Sequence, residues 1–172
     1  MTPSSLLYRK LKEHGIDFFV SVPCKLLSEL IDLLENDGDV VYTPVTREEE
    51  GVGVMAGAFL AGKRPALVMQ NSGLGNCVNA IVSLANYYRL PLVFVLSHRG
   101  TAGEKIDAQR PMGQATKDLL NAVDVQSCAI QSVGDLSLMD LALADAAANR
   151  RSVAFLLPFS FWQGKRSVDE AI

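Results

Sequence analysis

The strongest constraint on this chain is a repeated pattern. Short, unbroken apolar runs alternate with segments of helical spacing. Residues 16–22, 40–45, 65–69, 91–97 and 153–157 read as strands, and 125–130, interrupted by Gln126 and Ser127, as a weaker one. Strands without polar alternation are buried on both faces, and the helices between them make right-handed crossovers. The pattern predicts an α/β fold, a mostly parallel sheet of about six strands with helices on both faces. Helices are expected over 3–14, with Thr2 as N-cap and Gly15 taking the left-handed position at the end, and along the apolar stripe at 26–34. Further helices are expected over 48–61 (closed by Gly62), 76–87 and 114–122, and from a cap at Asp135 to Arg150. Residues 70–75 read as a glycine-containing loop, 98–111 as a long polar loop, and a polar tail follows the last strand.

Composition excludes several function classes. The 172 residues suit one domain, and 49% hydrophobic residues with 20% charged ones exclude a disordered chain. A net charge of −3 leaves no basic field for nucleic acid or an anionic membrane. The apolar runs are too short to span a bilayer, and the N-terminus lacks the apolar stretch of a secretory signal. Cys24, Cys77 and Cys128 lie far apart and fit reduced thiols in the cytoplasm rather than a disulfide framework. So little charged cover predicts a buried subunit contact.

Ligands on such sheets bind beyond the carboxyl ends of the strands, here at 23–25, 46–50, 70–76 and 97–105. Familiar motifs fail there. The run Asn71-Ser72-Gly73-Leu74-Gly75-Asn76 is not Gly-x-Gly-x-x-Gly, because Val78 stands where the third glycine belongs. Gln70 precludes a nucleophile elbow at Ser72, no phosphate loop with Gly-Lys-Ser/Thr occurs, and no metal-ligand spacing exists. A tight turn and a ligand contact fit this run equally well. Arg47-Glu48-Glu49-Glu50 opens a helix, where carboxylates stabilise the dipole without any chemistry. The helix carries Gly51, Gly53 and Gly57, each costing about 1 kcal/mol against alanine. Close approach by another helix or a ligand would offset that cost, and an acid at the head of such a helix would be buried.

Taken in order, Glu49-Glu50-Gly51-Val52-Gly53 with Ala56, the strand at 65–69 and the run Gln70–Asn76 resemble the pyrimidine-binding (PYR) domain of thiamine diphosphate enzymes. The resemblance extends to about Trp162, and Val22-Pro23 with residues 69–79 bring it close to the phosphonopyruvate and sulfopyruvate decarboxylases, above all the sulfopyruvate alpha subunits. It implies one PYR-type domain over 1–172. The diphosphate-binding (PP) domain, whose Gly-Asp-Gly motif Asp37-Gly38-Asp39 and Gly134-Asp135-Leu136 do not match, is expected on a separate beta subunit. It further implies a hetero-oligomer with alpha–alpha contacts and thiamine diphosphate with Mg²⁺ bound mainly by the partner. The implied reaction turns sulfopyruvate into sulfoacetaldehyde and carbon dioxide on the archaeal route to coenzyme M. The alternatives are phosphonopyruvate as substrate, or a non-catalytic subunit with a decayed pocket.

By the same resemblance Glu49 bonds the aminopyrimidine nitrogen, with desolvation raising its pKa, while Glu48 and Glu50 point elsewhere. Residues Asn71, Ser72, Gly73, Leu74, Gly75 and Asn76 would line the cofactor. Lys25 and Arg99 are expected to bind the acid tail of the substrate, and His98 to act in proton transfer. Glu104 and Lys105 are expected in a lid. Cys24, Cys77 and Asn79 read as structural, and Trp162 as a packing residue.

Overall fold

The computed structural model of the protein describes residues 1–163. The polar tail lies, from residue 164 onward, outside the described residues. Six strands form one all-parallel sheet in the order β2-β1-β3-β4-β6-β5, as the apolar runs predict. They are β1 (Phe18–Ser21), β2 (Val41–Pro44), β3 (Pro65–Gln70), β4 (Val93–His98), β5 (Gln126–Ala129) and β6 (Val153–Pro158).

Helix α1 (Pro3–Glu13) is capped by Thr2, whose hydroxyl accepts from the Ser5 N–H, and Gly15 leaves it at φ +74°. Then come α2 (Ser28–Glu35), α3 (Glu48–Leu60), α4 (Leu74–Ala80), α5 (Arg110–Ala122), α6 (Leu138–Asn149) and the short α7 (Phe159–Trp162). Alternate strand residues feed two cores. Ala66, Val68, Val95 and Phe155 pack with α1, α2 and α6, whereas Leu67, Met69, Phe94 and Leu156 pack with α3, α4 and α5. Among the described residues no helix is long and apolar enough to cross a membrane.

Four local expectations are corrected. Residues 71–73 form a helical turn and α4 starts at Leu74, so Ser72, Gly73, Leu74 and Gly75 open a helix rather than a loop. Beyond Ala80 that helix widens into a π turn to Asn86. Helix α5 begins four residues early, because Pro111 suits a first turn. Asp135 is not the N-cap. Ser132 is, and Asp135 is its reciprocal partner in a capping box.

Candidate active site

From β1 the chain runs outward to β2, then returns to the other side of β1 as β3. Such a reversal opens a crevice at the carboxyl ends of the two strands. Polar side chains bridge it. Cys24 Sγ, just past β1, donates to Gln70 Oε1 at 3.6 Å and lies 3.3 Å from Ser97 Oγ on β4. Gln70 Nε2 in turn donates to Ser72 Oγ at 2.6 Å and to Gln109 Oε1 at 3.0 Å. Sequence reasoning placed Gln70 and Ser97 at this edge without giving either a role, and missed Gln109, which reaches it from just before α5. The available signal was a polar residue at the end of an otherwise apolar strand.

The three glutamates have three different surroundings. Glu50 accepts from the Thr46 N–H (3.2 Å) and hydroxyl (3.1 Å), tying down the entry to α3. Glu48 is not turned away, as the resemblance implied. It accepts from Asn76 Nδ2 at 2.9 Å and lies across Gly73, where a Cβ would come within 2.5 Å of its Cδ and Oε1. Gly73 is glycine so that Glu48 can cross it.

Glu49 Oε1 accepts from Arg47 Nε at 2.5 Å. Its Oε2 is the buried side-chain polar atom that lacks a hydrogen-bond partner among the described residues. A buried carboxylate oxygen left unsatisfied costs free energy that a donor at that point would recover. The expected upward pKa shift is corrected: Glu49 lies below the usual carboxylate range. Its own backbone N–H in the first turn is the largest cause, and Arg47 adds to it, together outweighing desolvation.

Of the expected cofactor-lining run, Ser72, Gly75 and Asn76 are exposed, while Leu74 is wholly buried in the α3–α5 core. Asn71 is buried and fully engaged. Its Nδ2 donates to Thr116 Oγ1 at 2.8 Å and to the Arg99 carbonyl at 3.2 Å, and its Oδ1 accepts from the Arg99 N–H at 2.9 Å. It thereby ties the end of β3 to the end of β4. Cys77 is also buried, and burial pushes its thiol up to about 12.

Lys25 is exposed at the head of a short turn before α2, with no ion pair among the described residues. His98 is buried, its Nε2 bonded to the Gly113 carbonyl at 3.0 Å, so that this nitrogen carries the proton. Desolvation holds its pKa below the ordinary value. The ring thus faces α5. Arg99 is not a free cation. Its Nε and Nη2 donate to Glu104 at 2.7 and 2.8 Å, and its guanidinium lies 5.1 Å from the centre of the Phe159 ring. Glu104 does not sit in an open lid either. It is buried, and the loop wraps around it. Trp162 packs edge-on against Phe161 and donates to the Leu157 carbonyl.

The edge therefore offers a hydrogen-bond-accepting carboxylate with one free lobe, a glycine-bearing helix start beside it, and two cations. Among the described residues no group of three or more His, Cys, Asp or Glu is placed to hold a metal ion.

Residues 1–127 match the family "Thiamine pyrophosphate enzyme, N-terminal TPP binding domain". The chain is 45% identical over 166 residues to the sulfopyruvate decarboxylase subunit alpha of Methanothermobacter thermautotrophicus, covering 92% of this chain and 97% of that one. It is 42% identical to the subunit of the same name from Methanococcus maripaludis, covering 95% and 98%. A phosphonopyruvate decarboxylase of Streptomyces viridochromogenes is 37% identical over 84% of this chain and 37% of its own length. Among solved structures, a 2-oxoglutarate:ferredoxin oxidoreductase from Magnetococcus marinus shares the fold with a TM-score of 0.71 at 16% identity. The match covers 94% of this chain, which spans only 29% of that one.

Proposed function

Because the chain belongs to the thiamine pyrophosphate enzyme family, we propose that it is the pyrimidine-binding subunit of a thiamine diphosphate-dependent sulfopyruvate decarboxylase. The observation that carries the cofactor reading is the buried, partnerless Oε2 of Glu49. It fits a protonated ring nitrogen, a donor the chain does not itself provide. Full-length similarity to two sulfopyruvate decarboxylase alpha subunits supports the substrate.

When bound, thiamine diphosphate supplies the electron sink that lets a 2-oxo acid lose carbon dioxide. The chain's residues do the rest. Glu49, oriented by Arg47 through Oε1, would accept at the pyrimidine edge through Oε2. Glu48 and Asn76 fix the start of α4 as the wall of the pocket, with Ser72, Gly73 and Gly75 along it and Leu74 anchoring it from the core, while Asn71 holds that wall to β4. Lys25 and Arg99 meet the acid tail of the substrate, Arg99 through the part of its fork not used by Glu104. The contact of His98 with Gly113 supports a role for it through the Arg99 loop rather than by direct proton transfer. The single PYR-type domain takes its PP domain, and with it Mg²⁺, from a beta subunit. Gly53 and Gly57 on α3 are exposed, with open space where a Cβ would stand, which supports alpha–alpha contact at that face. Three free cysteines agree with a cytoplasmic setting.

The test is carbon dioxide release by the chain with its partner, supplied with thiamine diphosphate and Mg²⁺, from sulfopyruvate, phosphonopyruvate and pyruvate. Sulfopyruvate is expected to be preferred and the chain without partner to be inactive. Glu49→Gln should lower kcat by about 10²–10⁴ without altering the fold. Undiminished turnover in Glu49→Gln, or activity of the chain alone, refutes the reading. Preference for phosphonopyruvate reassigns the substrate.

A further inference from the structure

Resting on the reading of Arg99 as a substrate-facing cation, we propose that Glu104 is a positioning residue. It holds the Arg99 guanidinium so that its outer edge forms a fixed subsite for the multi-oxygen anionic tail of the 2-oxo acid.

The geometry is that of a bracket. Glu104 is 4% exposed, and both its oxygens are doubly used. Oε2 accepts from Arg99 Nε at 2.7 Å and the Gly100 N–H at 3.0 Å; Oε1 accepts from Arg99 Nη2 at 2.8 Å and the Ile106 N–H at 2.9 Å. The Glu104 carbonyl takes a further bond from Arg110 Nη2 at 3.1 Å. Behind the guanidinium lies the ring of Phe159. The backbone of Arg99 is held on both sides by Asn71, and the far end of the loop by the contact of Gln70 with Gln109.

This side-on engagement uses Nε and one face of Nη2. Nη1 has no hydrogen-bond partner among the described residues, and the Arg99 side chain keeps 12% of its surface exposed. A buried ion pair is a weak way to stabilise a loop, since desolvation offsets much of the attraction and apolar residues would hold it as well. What an apolar pair would not provide is a rigid guanidinium with N–H groups still unpaired. An arginine already locked by a carboxylate and a ring binds an anion without losing rotamer freedom at that moment. The anion then meets a donor array in one orientation.

The test uses the enzyme assembled with its partner. Glu104→Gln keeps the size but removes the charge that locks the fork. KM for sulfopyruvate should rise about ten- to hundredfold, while kcat and KM for pyruvate, which lacks the tail, should move less than about threefold. Calorimetric binding of sulfoacetate, an unreactive carboxylate with a sulfonate, should weaken by the same factor. Glu104→Asp should recover part of the affinity. Phe159→Leu should show the same split at smaller size, and if Glu104→Gln does not fold, Glu104→Asp decides the matter by a KM rise confined to sulfopyruvate. Equal KM changes for both substrates, or unaltered sulfoacetate affinity in these variants, overturns the proposal. Failure of the wild-type assembly to turn over any sulfonated acid refutes the functional reading instead, and sulfoacetate binding still judges Glu104.

Discussion

Replacing Gly53 and Gly57 by alanine separates what the chain needs from what its assembly needs. Both lie on one face of α3, four residues apart, with nothing within 4 Å of where a Cβ would stand. Neither glycine relieves a contact inside the chain. In the isolated chain each substitution should recover about 0.8–1.0 kcal/mol of helix propensity, or about 2 kcal/mol for the pair. For a domain of this size that raises Tm by about 4–8 °C. Gly51 is the internal control. A Cβ there would stand 2.8 Å from Leu67 Cδ1 and 3.2 Å from Cδ2, so about 1–3 kcal/mol of overpacking cancels or exceeds the propensity gain. Calorimetry of the three variants measures this. The second measurement is sedimentation equilibrium with the partner subunit. If another backbone packs on this face, the double variant should weaken assembly about tenfold or more. A lower Tm in Gly53→Ala or Gly57→Ala would refute the reading of an open helix face. A higher Tm with unchanged assembly would refute the interface.

Gly100→Ala should destabilise the chain by about 2–5 kcal/mol in urea denaturation, since Gly100 has φ +78° and its methyl would land on the Gln109 carbonyl. A cost below about 1 kcal/mol would mean that the loop yields easily. Arg99 holds the Glu104 carboxyl well below the usual range, so its contribution to stability is full above the unfolded pKa near about 4.3 and is lost as pH falls toward the folded value. The stability gap between wild type and Glu104→Gln should therefore be flat at neutral pH and shrink in acid. A gap that persists undiminished to about pH 3 would contradict the pairing.

The four inner strands were legible because both of their faces are buried and apolar, a pattern that few other environments impose, whereas the edge strands β2 and β5 are only partly buried. The order of the strands was less so, since β1 pairs with β2 and β3 through contacts that no local period encodes. At the edge, the resemblance implied that Glu48 points elsewhere on the helix. It overlooked that Gly73, on another element, leaves a groove for it. The pKa of Glu49 went the other way because burial of one oxygen was weighed without the helix N–H and Arg47 beside the other. Gln70, Ser97 and Gln109 meet only because three chain segments converge, so no spacing announces them. The Arg99–Glu104 pair sits in a loop, where a separation of five residues carries no periodic meaning.

Asn71 imitates a peptide group. By giving and receiving a hydrogen bond with the Arg99 backbone, its side-chain amide adds one more rung between β3 and β4 beyond the ends of both strands. That rung has a chemical lifetime. An asparagine followed by serine is prone to lose its amide nitrogen when the following backbone N–H can attack the side chain. Here the amide is clamped at both atoms inside a helical turn, which slows that attack. Were it to happen, the oxygen that replaces Nδ2 would be an acceptor facing the Arg99 carbonyl and the Thr116 oxygen, both of which now accept from the amide. The chemical ageing of this enzyme is thus tied to its folding. While the rung is closed the amide is protected, and each local opening of the β4 edge starts the clock.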